Sequence, residues 1–165
     1  MNGDGEINQK DMYRYKSPFP KVMLGFNTQL NYMKWTLSTI IRSNLGNYMY
    51  NNVASNFGVE RNILNPNNIL GNSTTDIYKT GFYNNQYQSD YYVQNASFLR
   101  MDNIGLGYNV GHVLGNKMSM RLNATVQNVF VITKYKGLDP EVNGGIDYNL
   151  YPRPRTFVLG LNLDF

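Results

Sequence analysis

The chain contains no cysteine, which excludes a disulfide scaffold and thiolate metal sites. Its only histidine, His112, has no serine or cysteine nucleophile pattern around it, so a solvated turn residue is the favoured interpretation and no enzymatic activity is expected. Charged residues make up only 16% of the chain, and the Lys and Arg residues are scattered. Without a basic cluster, nucleic-acid binding is not expected.

Long hydrophobic runs are also missing. No apolar stretch reaches the roughly 18 residues of a transmembrane helix, so a closed β-barrel is the remaining way for this chain to cross a bilayer. The first residues have neither the basic nor the apolar region of an export signal. If the protein is exported, we therefore expect this chain to be part of a longer one.

Alternation of apolar and polar residues, the period of β-strands, is what the sequence does contain. In the last segment Phe157, Leu159, Leu161, Leu163 and Phe165 share one parity. Five predicted strands follow from such alternation, at residues 22–32, 35–45, 98–110, 118–130 and 156–164. Their lengths suit tilted membrane-crossing strands, which have about 9–11 residues.

The connections between these strands differ in length in a regular way. Short turns at residues 33–34 and 111–116 alternate with long segments at 1–20, 46–96 and 132–154. In an antiparallel meander all long loops then lie on one side, as in outer-membrane barrels, and the polar parity carries the Asn, Gln, Ser, Thr and Gly of a wet lumen. The alternative is a soluble β-sandwich or barrel that acts as a ligand-binding module, in which the apolar faces would be covered.

Aromatic residues suggest two kinds of site. Segment 46–96 is rich in Tyr and Asn, which predicts a folded, exposed external loop that grips a ligand or a partner, although its tyrosines could instead pack on one another. The candidate contact residues are Tyr78, Tyr83, Tyr87, Tyr91 and Tyr92. Aromatic residues near strand ends predict a membrane girdle, and the candidates are Tyr32, Trp35, Tyr108, Phe130 and Phe157. Phe165 is the candidate C-terminal barrel signal.

The N-terminal residues fit most of a calcium loop, with Gly5 at the turn and Ile7 at the apolar position. The candidate ligands are Asn2, Asp4, Glu6 through its carbonyl, Asn8 and Asp11. The first ligand position would precede Met1, and Asp11 replaces the usual bidentate Glu, so we expect weak calcium binding or none. A polar turn that binds nothing fits the same residues equally well.

Several motifs, taken in order, resemble the C-terminal part of SusC/RagA-type TonB-linked outer-membrane proteins of Bacteroidetes. They are Asn2-Gly-Asp-Gly-Glu-Ile, Ser17-Pro-Phe-Pro, Ser97-Phe-Leu-Arg-Met-Asp-Asn, Gln127-Asn-Val-Phe, Thr133-Lys-Tyr-Lys-Gly-Leu-Asp-Pro-Glu, Tyr151-Pro-Arg-Pro-Arg and the final Phe165. The resemblance covers the whole chain, residues 1–165.

The resemblance implies an all-β fold in which about five antiparallel strands form the C-terminal portion of a barrel of about 22 strands. It also implies location in the cell outer membrane, in contact with its lipid, and import of oligosaccharides or peptides. The expected partners are a SusD-like surface lipoprotein and TonB, the latter acting through an N-terminal region that this chain does not contain. Apart from the possible calcium ion, no cofactor is expected.

Overall fold

The computed structural model describes residues 9–63, 71–115, 117–148 and 150–165. These residues form seven strands: β1 (Val22–Tyr32), β2 (Trp35–Leu45), β3 (Tyr48–Tyr50), β4 (Val93–Asn95), β5 (Phe98–Val113), β6 (Met118–Thr133) and β7 (Thr156–Asp164). The connections contain the short helices α1 (Asn52–Phe57) and α2 (Ile77–Thr80) and 3-10 turns at Gln9–Asp11, Glu60–Asn62, Asp90–Tyr92 and Asn143–Gly145. None of the helices in the described ranges is long and apolar enough to span a membrane.

The five long strands form one antiparallel sheet in the order β1-β2-β5-β6-β7, which confirms the predicted meander. The bounds of β1, β2 and β7 are those predicted. Met33 makes the tight β1–β2 turn with φ 51°, a left-handed conformation that is uncommon outside glycine. The predictions for β5 and β6 were too short, because the strands continue to Val113 and Thr133.

A β-bulge in β5 explains why its sequence pattern changes parity. Thr39 of β2 faces Ile104, but Ile41 faces Met101, so β5 contains one extra residue there. The neighbouring strand β6 also has one extra residue at this point, because two of its residues lie opposite Asp102. One of these two residues is Asn128, which has φ 51°. Because the bulge inserts one unpaired residue, the odd-numbered apolar residues before it and the even-numbered apolar residues after it lie on the same face of the sheet.

A second irregularity in β5 explains the missed strand end. The register shifts between Asn109 and Gly111, where Gly111 has φ 93°, a conformation that costs glycine little. The Asn109 side chain accepts a hydrogen bond from the Gly111 N–H at 3.0 Å. The glycine that suggested a turn is therefore part of a bulge, and the strand continues beyond it.

The apolar face of the sheet is uncovered. Phe26 is 58% exposed, Leu30 60% and Leu159 86%. In the described part of the chain no second sheet or long helix packs on this face. A soluble sandwich would bury these side chains, since water contact costs roughly 25 cal/mol per Å² of apolar surface. The geometry therefore contradicts the soluble-sandwich alternative.

Most of the buried residues lie instead in three long connections at one end of the sheet, opposite the two short turns, and Phe98 and Arg100 of β5 are buried beside them. We call residues 10–21 the first loop, 46–97 the second loop and 134–155 the third loop. Met49 and Ala96 of the second loop pack with Tyr135 of the third, and all three are buried. The Tyr48 N–H also donates to the Ser17 carbonyl of the first loop at 3.0 Å. The three loops thus form one packed cap.

Candidate functional site

Two arginines stand side by side on the polar face of the sheet, near the loop end. Arg42 of β2 lies directly opposite Arg100 of β5. Like charges at directly opposed positions repel each other, so this pair needs nearby anions. Arg100 is only 2% exposed, and water therefore cannot compensate its charge.

Three carboxylates supply the compensation. Arg42 forms a two-pronged ion pair with Asp102, the extra residue of the β5 bulge, and donates to both oxygens of Glu141 at 2.6 and 2.9 Å. Arg100 Nη2 donates to Asp139 Oδ1 at 2.6 Å. Asp139 and Glu141 belong to the third loop, so these ion pairs join that loop to the sheet.

Arg153 and Asn128 complete the connection. Arg153 of the third loop donates to Glu141 at 2.9 Å and lies 3.3 Å from Asp139. Asn128, at the β6 bulge, accepts from Arg100 Nη1 at 2.8 Å and donates to the Arg153 carbonyl at 2.7 Å. We call Arg42, Arg100, Arg153, Asp102, Asp139 and Glu141 the ion network.

The ion network carries no net charge, because three arginines meet three carboxylates. Burial by itself raises the pKa of Glu141, but the hydrogen bonds from Arg42 and the charges of Arg42, Arg153 and Arg100 outweigh it. The pKa of Glu141 therefore lies below its ordinary value of 4.5. A lowered folded-state pKa contributes stability above the unfolded-state pKa, and this stability is lost as the pH falls through the lowered value.

A cleft of about 390 Å³ opens beside the ion network. Its lining includes Asp139, Glu141 and Arg153 of the ion network and the aromatic residues Tyr148 and Tyr151. Tyr148 is 66% exposed and Tyr151 91% exposed. Flat aromatic faces next to charged hydrogen-bonding groups are suited to ligands that carry both apolar and polar surface.

The second loop holds the predicted contact tyrosines in two different environments. Tyr78, Tyr83, Tyr87 and Tyr91 are exposed. Tyr92 is buried at 3% exposure, where it packs edge-to-face on Tyr50 and Tyr91. The inclusion of Tyr92 among the contact residues was therefore wrong. Tyr92 ends the short turn Asp90–Tyr92 and points into the interior of the cap. Neither its residue type nor its position in the sequence indicates this burial.

Three of the predicted girdle residues come together. Tyr32 faces Trp35, which faces Tyr108, and the Trp35 and Tyr108 rings are 4.5 Å apart. These residues form one row near the short turns. The register places Phe157 about 14 Å and Phe130 about 20 Å farther along the apolar face, at roughly 3.4 Å per residue.

The remaining sequence candidates are only partly described. Asn2, Asp4, Glu6 and Asn8 lie outside the described residues, and Asp11 ends the 3-10 turn at Gln9–Asp11. Among the described residues no group of three or more His, Cys, Asp or Glu side chains is arranged to hold a metal ion. Phe165 follows β7 and is 97% exposed.

Sequence reasoning missed the ion network, although its residues were visible as motif members. Arg100 and Asp102 lie in one motif, Asp139 and Glu141 in another, and Arg153 in a third. In the structure these three motifs, which are far apart in the sequence, meet Arg42 at one place on the polar face of the sheet. Asp139 and Glu141 flank Pro140, a sequence typical of a turn, and nothing in that local pattern indicates their arginine partners.

Among known proteins, the chain is similar to TonB-dependent receptors. No protein-family model matches the chain. The TonB-dependent receptor SusC of Bacteroides thetaiotaomicron is 43% identical over 99% of this chain and 17% of its own length. The TonB-dependent receptor P3 of Formosa agariphila is 28% identical over 100% of this chain and 18% of its own length.

Solved structures agree with the sequence matches. The structure of the RagAB peptide transporter has a TM-score of 0.72 and 26% identity, covering 91% of this chain and 18% of the matched chain. The same importer in its open-open state has a TM-score of 0.67.

The exposed apolar face, the polar opposite face and the sorted loops define a wall segment of an outer-membrane β-barrel. With the whole-chain match to SusC, the chain belongs to the SusC/RagA type of TonB-dependent receptors of Bacteroidetes. It spans less than a fifth of the length of these relatives.

Proposed function

We propose that this chain is part of an outer-membrane, TonB-dependent importer of oligosaccharides or peptides. The 43% identity to SusC across the chain carries the proposal. The exposed apolar face supports a position in the membrane. Within the described residues β1 and β7 each pair on one side only, and unpaired strand edges are not stable in lipid. Further strands must therefore close the barrel.

Within this importer, the three loops form the external surface that meets a ligand or a SusD-like surface lipoprotein. Tyr78, Tyr83 and Tyr87 project from the second loop with exposures of 86%, 56% and 70%. Tyrosine is enriched in protein interfaces because a rigid ring covers much area at little entropic cost. TonB contact is assigned to another part of the complete protein.

We assign no catalytic role to the chain. His112 pairs with Ser119 in the strand register near a short turn. Asp139 and Glu141 are held by arginines, and such pairing supports a structural role over acid–base chemistry. SusC and RagAB are named as a receptor and a transporter, which also supports this assignment.

The test is a triple substitution in the complete protein, Tyr78→Ala with Tyr83→Ala and Tyr87→Ala. Loss of exposed interface tyrosines is expected to weaken uptake or lipoprotein association by about tenfold or more, since interface hot spots contribute about 2 kcal/mol each. Insertion into the outer membrane, measured by heat-modifiable migration, should not change. The control is Asn84→Ala, an exposed polar neighbour.

Normal uptake and association in the triple variant would remove the second loop from the function. Failed insertion, with normal binding in the inserted fraction, would instead make this loop a structural brace. Either result leaves the assignment of the strands to a membrane barrel intact.

We further propose that Asn2, Asp4, the Glu6 carbonyl, Asn8 and Asp11 form an incomplete calcium site. The spacing of oxygen ligands around Gly5 supports it. Calorimetric titration of the complete protein with calcium should show binding weaker than about 10⁻⁴ M when the residue before Met1 is not acidic. Placing Asp there should strengthen binding, and equal affinity with and without this Asp would contradict the proposal.

A further inference from the structure

The third loop is held by two sets of contacts: ion pairs to the barrel wall and hydrogen bonds within the cap. The ion network holds Asp139, Glu141 and Arg153. In the middle of the loop, Asp147 is buried, its side chain accepts from the Tyr135 hydroxyl at 2.6 Å, and its N–H donates to the Tyr50 carbonyl at 3.0 Å. Tyr148 and Tyr151 lie between these attachments and face the cleft.

Arg100 is the member of the ion network whose charge water cannot reach. It is 2% exposed, and it donates to Asn128 on the wall as well as to Asp139 on the loop. If the loop moved away, Arg42 and Arg100 would remain as neighbouring cations, and Asp102, which pairs with Arg42, would be the only carboxylate of the ion network left beside them. The undocked state is therefore strongly disfavoured.

We propose that Arg100 is a positioning residue: it fixes the third loop so that Tyr148 and Tyr151 meet the imported ligand at the cleft. Arg100 is too buried to touch the ligand itself, so its effect on binding acts through the two tyrosines. This proposal rests on the proposed importer function, because it requires a ligand that passes the external loops. The docking of the loop itself does not require it.

The first part of the test measures loop docking without any ligand. Arg100→Lys keeps the charge but loses the planar fork that contacts Asn128 and Asp139 together. Hydrogen exchange of the amides from Tyr135 to Asp147, in the complete protein, should accelerate about tenfold or more. The matched control is Arg121→Lys, an exposed arginine on the polar face of β6 outside the ion network.

A second variant guards against misfolding at a buried site. Asn128→Gly removes the amide that links Arg100 to the Arg153 carbonyl, and glycine accepts the φ of 51° at this position. It should also accelerate exchange in the third loop, with unchanged heat-modifiable migration. Unchanged exchange in both Arg100→Lys and Asn128→Gly would overturn the proposal.

The second part of the test is a double-mutant cycle on binding, with maltoheptaose and a synthetic decapeptide as probes. Arg100→Lys should raise the half-saturating concentration of the bound probe and leave the maximal uptake rate unchanged. In a background that carries Tyr148→Ala and Tyr151→Ala, Arg100→Lys should have no further effect, because the residues through which it acts are gone.

Additive effects in the cycle would show that Arg100 acts generally on stability, and the positioning role would be wrong. If the parent protein bound neither probe, the proposed substrate classes would fail. The exchange measurement would then still decide whether Arg100 fixes the third loop. The two failures are therefore distinguishable.

Discussion

Leu30→Arg is expected to destabilise the inserted barrel by about 1–2 kcal/mol, because a cation on the lipid face of a strand costs about 2–4 kcal/mol at the membrane centre and about 0–1 kcal/mol near the interface. Leu30 is 60% exposed on the apolar face of β1, in the same row as Leu37 and Leu106. The row of Tyr32, Trp35 and Tyr108 lies two residues toward the short turns, which places Leu30 inside the apolar band.

The matched control for this substitution is its chain neighbour, Gln29→Arg. Gln29 is also exposed but points to the opposite, polar face, where water hydrates an added charge. Its effect should stay within about 0.5 kcal/mol. The measurement is urea unfolding of the complete protein in lipid vesicles. Equal destabilisation by both substitutions would mean that the two faces have the same surroundings, and the orientation of the sheet would be wrong.

Asp139→Asn should have the second large effect, a loss of about 3 kcal/mol in the free energy that holds the third loop on the wall. Asp139 is 6% exposed and pairs with Arg100 and Arg153. Removing its charge leaves the buried Arg100 with only the more distant Glu141, whose Oε2 lies 3.7 Å from Arg100 Nε. An unpaired buried cation costs far more than the loss of one exposed ion pair.

Asp102→Asn is the control for Asp139→Asn. The Asp102 side chain is 28% exposed, and its partner Arg42 keeps both bonds to Glu141. We expect a loss of about 1 kcal/mol or less for this more hydrated pair. Amide hydrogen exchange from Tyr135 to Asp147 reports both variants. A larger effect of Asp102→Asn than of Asp139→Asn would show that the bulge, and not the buried pair, dominates the attachment.

The sequence by itself determined the sheet. The alternation in residues 22–32 and 35–45 has period two with few exceptions. Successive side chains of a strand point to opposite faces, so this local pattern is enough to assign each residue to a face. Strand direction, loop sorting and the exposed apolar parity follow from this pattern. Leu99 and Met101 break the alternation of residues 98–110 in the sequence, and only the register shows that a bulge at Asp102 explains this break.

Only the tertiary structure decided the candidate site. Arg42, Arg100 and Asp139 are far apart in the sequence, and their meeting depends on strand pairing, on two bulges and on the fold of the third loop. The burial of Tyr92 depends in the same way on packing between loops. Local periodicity reports which face a strand residue occupies, whereas charge pairing across loops is set by long-range contacts that have no period.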